Sequence, residues 1–380
     1  RQTVAIGLDP LKALTTGLNN IALGTSSMDA LTSGGCNVAI GTNALGASTT
    51  GACNIAIGEL ALGGADTTGH GNIALGECAA DAVTTGLDNI AMGLNALGVA
   101  TTGCKNIAIG RTALGGAATT GNDNIVMGTN TADALTSGAT NVALGILALG
   151  SATTACNSVA IGHTALGGAA TTGNDNIAMG RTSMDALTSG VANIALGVNS
   201  LGAATTGSYN VALGHTALGG AALTGIDNIA LGQSAMRLLT TGKCNVAIGT
   251  NALNDSTTGC LNVAIGNYAL GGATTTGINN IAIGTTSMDA LTSGAYNIAL
   301  GNHALGAATT GCVNIAIGYQ VLGTAALTGS HNIGLGADVM PALTTGACNI
   351  GLGVDTLGNS TTGCFNIALG KQAMGGANTV

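Results

Sequence analysis

Twenty-two times along this chain one five-residue run returns, Asn-Ile/Val-Ala-Ile/Leu-Gly or a close variant, at intervals of 17 or 18 residues. The copies begin at Thr3, Asn20, Asn37, Asn54 and Asn72 and continue to Asn366; only Thr3 and Ser158 replace the leading Asn, and every copy closes with Gly. Such a period constrains the fold more than any motif, because each unit holds about three large aliphatic side chains and cannot bury a core alone. Stacked on its neighbours it can, each unit contacting only the one before and the one after. Large and small residues alternate within the run, which is the period of a strand. The chain is therefore expected to be all-β, a parallel β-solenoid or β-roll with 17–18 residue coils. Residues 1–380 form one continuous repeat domain of 22 coils, and residues 1–19, which hold Asp9, Pro10 and Lys12, form an atypical, capping first coil.

Composition excludes the other fibrous and disordered classes. Charged residues are 6% of the chain while 46% is hydrophobic, opposite to the balance of a disordered chain. The 65 Gly do not fall at every third position, so there is no collagen repeat. A net charge of −8 with eight scattered Lys and Arg leaves no basic stripe for a phosphate backbone and argues against nucleic acid. Apolar runs are broken every few residues by Gly, Asn or Thr, far short of the roughly 20 residues of a membrane-spanning helix, so no membrane insertion is expected. No charged segment followed by an apolar one opens the sequence, and a secretion signal is expected to have been removed or to lie outside it.

A longer period overlies the short one: after Asn20 the intervals run 17, 17, 18, and three kinds of unit cycle every 52 residues. Two architectures fit, a coil per 17–18 residues or a three-lobed solenoid with 52 residues per turn. Asp29, Asp81, Asp133 and Asp185 recur at 52, and a 52-residue turn would stack these carboxylates about 5 Å apart, where their repulsion is costly. The short coil is favoured, with duplication of a 52-residue unit behind the superrepeat.

The runs Asn-Val-Ala-Ile-Gly at 37–41, Asn-Ile-Ala-Ile-Gly at 54–58 and Ser-Val-Ala-Ile-Gly at 158–162 resemble the head repeats of YadA-like trimeric autotransporter adhesins, and similar repeats occur in phage tail-fibre-like proteins. The resemblance implies a left-handed parallel β-roll, three chains around one axis, and a head that binds host surface, matrix or glycan. It implies an extracellular or cell-surface fibre segment that is rigid, repetitive and adhesive or structural. These coils are longer than those of the adhesins.

No constellation supports catalysis, and no enzyme activity, cofactor or metal is expected. The ten Cys include no Cys-x-x-Cys pair, and small buried thiols filling a corner are the expectation. His70, His163, His215, His303 and His331 have no ligand-spaced partner and read as surface residues. Gly69-His70-Gly71-Asn72-Ile73-Ala74 has the letters of a dinucleotide fingerprint but precedes a strand instead of following one. One Asp per 52 residues, with Arg237 on one rung, falls short of a calcium site.

Three surfaces remain. Rows of Thr-Thr-Gly, among them Thr67, Thr68, Thr205 and Thr206, read as turn-forming Thr and Gly, with surface ligand, O-glycan or ice contact as the functional alternatives. The large aliphatics at the second and fourth positions of each run, Ile57 among them, are expected to point into the coil. The small residues between them, Ala22, Ala39, Ala56, Ala74 and Ala91 onward to Gly334, Gly351 and Ala368, are then expected on the opposite face. Only Val126 is larger there, so the stripe is expected to be an interface with another backbone, between chains of a homotrimer or within a three-lobed chain. Val380 followed by Arg1 and Thr3 of a second copy would restore a spacing of 17, from which end-to-end stacking into a filament is expected.

Overall fold

The computed structural model describes residues 2–376; Arg1 and Val380, on which the end-to-end expectation rests, lie outside the described residues. Every secondary-structure element among them is a three-residue strand, one per repeat, from Val4–Ile6 to Ile367–Leu369, and all the pairings are parallel. One turn of the solenoid is therefore 17 or 18 residues, and the 52-residue turn is excluded. The chain comprises two compact units, residues 1–192 and 193–380, each carrying eleven strands.

In the first unit the ladder runs in sequence order from Val4–Ile6 to Ile177–Met179 with each strand in register on the next, for example Ile55 on Ile73, Ala56 on Ala74 and Ile57 on Leu75. In the second it runs from Ile194–Leu196 to Ile367–Leu369 in the same way. Adjacent strands stand about 4.8 Å apart, so residues 52 apart in sequence are three turns apart, about 14 Å. The repulsion that disfavoured stacked Asp residues is thereby avoided.

Left-handed corners bend each turn between the strands. Non-Gly residues with φ near +50° to +60° recur at the seventh, ninth and last positions, such as Asn43, Leu45 and Cys53 in the turn beginning at Asn37. Asn and Asp tolerate this region, which explains Asn95, Asn199, Asp88 and Asp175 at such corners. For Leu and Met the conformation is costly, and what offsets it is bonding to the next turn: Leu45 N–H donates to Ala61 O at 2.9 Å and Met28 N–H to Ala44 O at 3.0 Å. The strand-closing Gly has a stricter need. Gly58 sits at φ +135°, and a β-carbon on it would lie 2.5 Å from Gly76 O of the next turn.

A buried Asn column stitches the turns together. Asn72 is typical: its backbone N–H donates to Asn54 Oδ1 at 2.8 Å, and its Nδ2 donates to Asn54 Oδ1 at 3.2 Å and Gly86 O at 2.9 Å. Each buried amide group thus finds a partner on a neighbouring turn, as buried polar groups must. The column thins at Ser158, whose shorter Oγ accepts from Asn176 N–H at 3.3 Å.

The facing of the strands is the reverse of the expectation. Ala56 is 0% exposed while Ile57 is 39% exposed, and the same buried middle residue recurs in all strands from Ile21–Leu23 to Val211–Leu213 and beyond. Ala22, Ala39, Ala56, Ala74 and Ala91 are interior residues, covered by their own chain, and offer no face to a second one. The reason is space. The narrow coil already holds the Asn column and a Leu or Met at the ninth position, such as Leu45, Leu62 and Leu97, all fully buried. Only a small residue fits opposite them.

The interior also accounts for the 52-residue period. A further buried column runs Leu31, Ser48, Thr67, Val83, Ala100, Thr119 and Leu135, so that bulky, small and Thr fillings alternate on successive turns. Ser48 Oγ donates to Thr67 O at 2.6 Å, and Thr67 Oγ1 donates to Val83 O at 2.8 Å. Three kinds of turn interlock, which is a packing reason for the cycle beyond duplication.

Candidate functional site

Inverting the strands places the aliphatic side chains on the surface, and this face is the candidate functional site. The second and fourth strand positions carry only Ile, Val, Leu or Met in all 22 repeats. They form two adjacent columns per unit, half-exposed to exposed, as at Ile40 (37%), Met92 (38%) and Met127 (43%). Ladder pairing fixes their spacing at about 4.8 Å along each column, so eleven turns make a ridged apolar strip roughly 50 Å long. Monomeric proteins rarely expose contiguous apolar patches beyond a few hundred Å².

The Thr rows fall into two classes. Thr67 is fully buried, a correction to its expected place on the surface: the extra residue of an 18-residue turn shifts the register, so the first Thr enters the interior column. Thr68 and Thr205 are half-buried, and Thr206 is exposed. Where the following turn is also 17 residues long the first Thr donates its hydroxyl to it, Thr32 Oγ1 to Thr49 O at 3.0 Å and Thr84 Oγ1 to Thr101 O at 3.1 Å. The second Thr, as at Thr50, Thr85 and Thr102, is exposed.

The Asp row is built into the turns. Gly64, the second Gly of an 18-residue turn, packs on the carboxylate of Asp81 one turn later, and a β-carbon there would lie 2.5 Å from Asp81 Oδ1. Gly116 with Asp133, Gly168 with Asp185 and Gly272 with Asp289 repeat the arrangement. Asp29 follows a 17-residue turn and has no such glycine. In all four sockets Oδ1 is buried without a hydrogen-bond partner. Burial pushes each carboxyl above the usual carboxylate range, opposed by the glycine N–H that bonds it and, at Asp185 and Asp289, by His163 and His303. Each socket holds one carboxylate, and among the described residues no three His, Cys, Asp or Glu side chains gather as metal ligands.

None of the ten cysteines is buried, contrary to expectation: four are exposed, six are intermediate and all are free thiols. Nine of them lie in the last two positions of a turn and Cys78 at a seventh-position corner, and these positions face outward. The five His are exposed. Among the described residues no helix is long and apolar enough to cross a membrane.

No family model, curated protein or solved structure matches this chain.

Proposed function

We propose that this chain is a structural or adhesive segment of an extracellular or cell-surface fibre, and that its stacked turns associate with further copies of the chain through the aliphatic strand face. The observation that carries the reading is the restriction of both outward strand positions to Ile, Val, Leu and Met in every repeat. A strand face left to water accumulates Thr, Lys, Ser or Glu on its outer positions. This one carries none, and a second copy presents the same columns at the same spacing, so two faces match along their length. The resemblance of the runs at 37–41, 54–58 and 158–162 to YadA-like adhesin heads and to phage tail-fibre repeats favours three copies around an axis, with host surface, matrix or glycan as the outer partner.

Sedimentation equilibrium tests the reading. The chain is expected to be a homo-oligomer, and a variant carrying Ile40→Lys, Ile57→Lys and Leu75→Lys is expected to sediment as a monomer with an unchanged β-sheet circular dichroism spectrum. A monomeric parent chain, or an oligomeric triple variant, overturns it.

The exposed second Thr of 17-residue turns, as at Thr50, Thr85 and Thr102, supports ice binding as a second reading. That reading requires thermal hysteresis from the monomeric triple variant, and loss of it on Thr→Val changes along the column.

A further inference from the structure

The last residue of each turn lies at a left-handed corner directly ahead of the Asn column, and on two successive turns it is cysteine. Cys36 precedes Asn37 and Cys53 precedes Asn54, at φ +62° and +57°. Both corners are pinned in register. Cys53 N–H donates to Gly35 O at 2.9 Å, Asn54 N–H to Asn37 Oδ1 at 2.9 Å, and Val38 pairs with Ile55 just beyond. Two residues in register on adjacent strands have Cα atoms about 4.8 Å apart, inside the 4.4–6.8 Å span that a disulfide bridges. Both thiols are exposed.

We propose that Cys36 and Cys53 form a redox modification site, a disulfide that ties one complete turn to the next. The oxidant is a small-molecule disulfide. The thiolate of one cysteine attacks it, forming a mixed disulfide and releasing one thiol; the second cysteine's thiolate then attacks the protein-bound sulfur and releases the other thiol. Two cysteine thiols lose two electrons and two protons, and the oxidant gains them.

Register singles out this pair. Cys244 with Cys260 and Cys348 with Cys364 also lie on adjacent turns, but the second of each stands one residue earlier in its turn. Cys364 Sγ accepts a hydrogen bond from Ala347 N–H at 3.3 Å, which draws it off the corner.

The test is to incubate the native full-length chain with oxidised glutathione, block free thiols and digest with pepsin, which cuts at Leu45 between the two cysteines. Peptides of Cys36 and Cys53 are expected to be released joined, within one chain, and to separate on reduction. With Cys36→Ser, Cys53 is expected to keep a stable glutathione adduct instead. Free or glutathione-capped Cys36 and Cys53 in the parent chain, or a link from either to another residue or another copy, would overturn the proposal.

Discussion

Gly334 lies against Val321 of the preceding turn so closely that a β-carbon on Gly334 would overlap Val321 Cγ1. The relationship recurs one turn on, where a β-carbon on Gly351 would lie 2.7 Å from Val339 Cγ1. Val occupies the eighth position of a turn only at 321 and 339, and Gly occupies the strand centre only at 334 and 351. Each of these two Val residues is matched by the loss of a methyl group opposite, which requires the strand centre to face inward.

Gly334→Ala is accordingly expected to destabilise the chain by about 1–3 kcal/mol, the usual cost of overpacking. Adding Val321→Ala is expected to recover part of that loss, with a coupling of about 1 kcal/mol. Urea denaturation of the two single variants and the double variant measures it. Additive effects would place the two side chains apart.

The strand facing gives a second prediction. Ala56→Leu, at 0% exposure, is expected to cost about 1–3 kcal/mol, whereas Ile57→Thr, on the surface, is expected to shift the monomer's stability by about 0.5 kcal/mol or less. Equal losses at both positions would mean that the interior is assigned to the wrong side.

Much of this architecture is legible in the sequence. The Asn and Gly anchors set the turn length, because a stacked amide column and a left-handed close approach each admit almost one residue type. The Asp spacing separates the 17-residue turn from the 52-residue one. The facing is not legible from the run itself, since Ile-Ala-Ile alternates identically whichever side is buried. The compensation between Val321 and Gly334 carries that information, but only once the turn has brought residues 13 apart in sequence together. The burial of Thr67 depends on where an 18-residue turn accommodates its extra residue, beside Gly64, and the Thr-Thr-Gly pattern does not record that. The Cys36 and Cys53 juxtaposition is visible as soon as the short turn is accepted.

The amide column yields a third prediction. Asn54→Ala removes the donor to Gly69 O and the acceptor of Asn72 N–H, leaving two buried groups unpaired, and is expected to cost about 3 kcal/mol. Ser158→Asn fills the one interior gap in the column and is expected to stabilise the chain by about 1 kcal/mol. Thermal melts check both signs.

The Asp sockets predict a pH dependence of definite sign. A carboxyl whose folded pKa is raised binds more protons folded than unfolded between the two values. Stability from Asp81, Asp133, Asp185 and Asp289 is therefore fully present below the ordinary carboxylate pKa and is lost as pH rises through the folded values. Replacing all four by Asn is expected to raise stability at neutral pH and to flatten its decline above the carboxylate range. An unchanged slope in denaturation midpoints measured across that range would show that burial does not penalise these charges.

Association through the aliphatic face is tested most directly by an electron cryo-microscopy map of the assembled chain, at a resolution that separates strands about 4.8 Å apart. Copies are expected to meet along the Ile, Val, Leu and Met columns, with the Ala column enclosed within each copy. A map showing single chains with that face against solvent, or copies in contact through the Ala column, would contradict it.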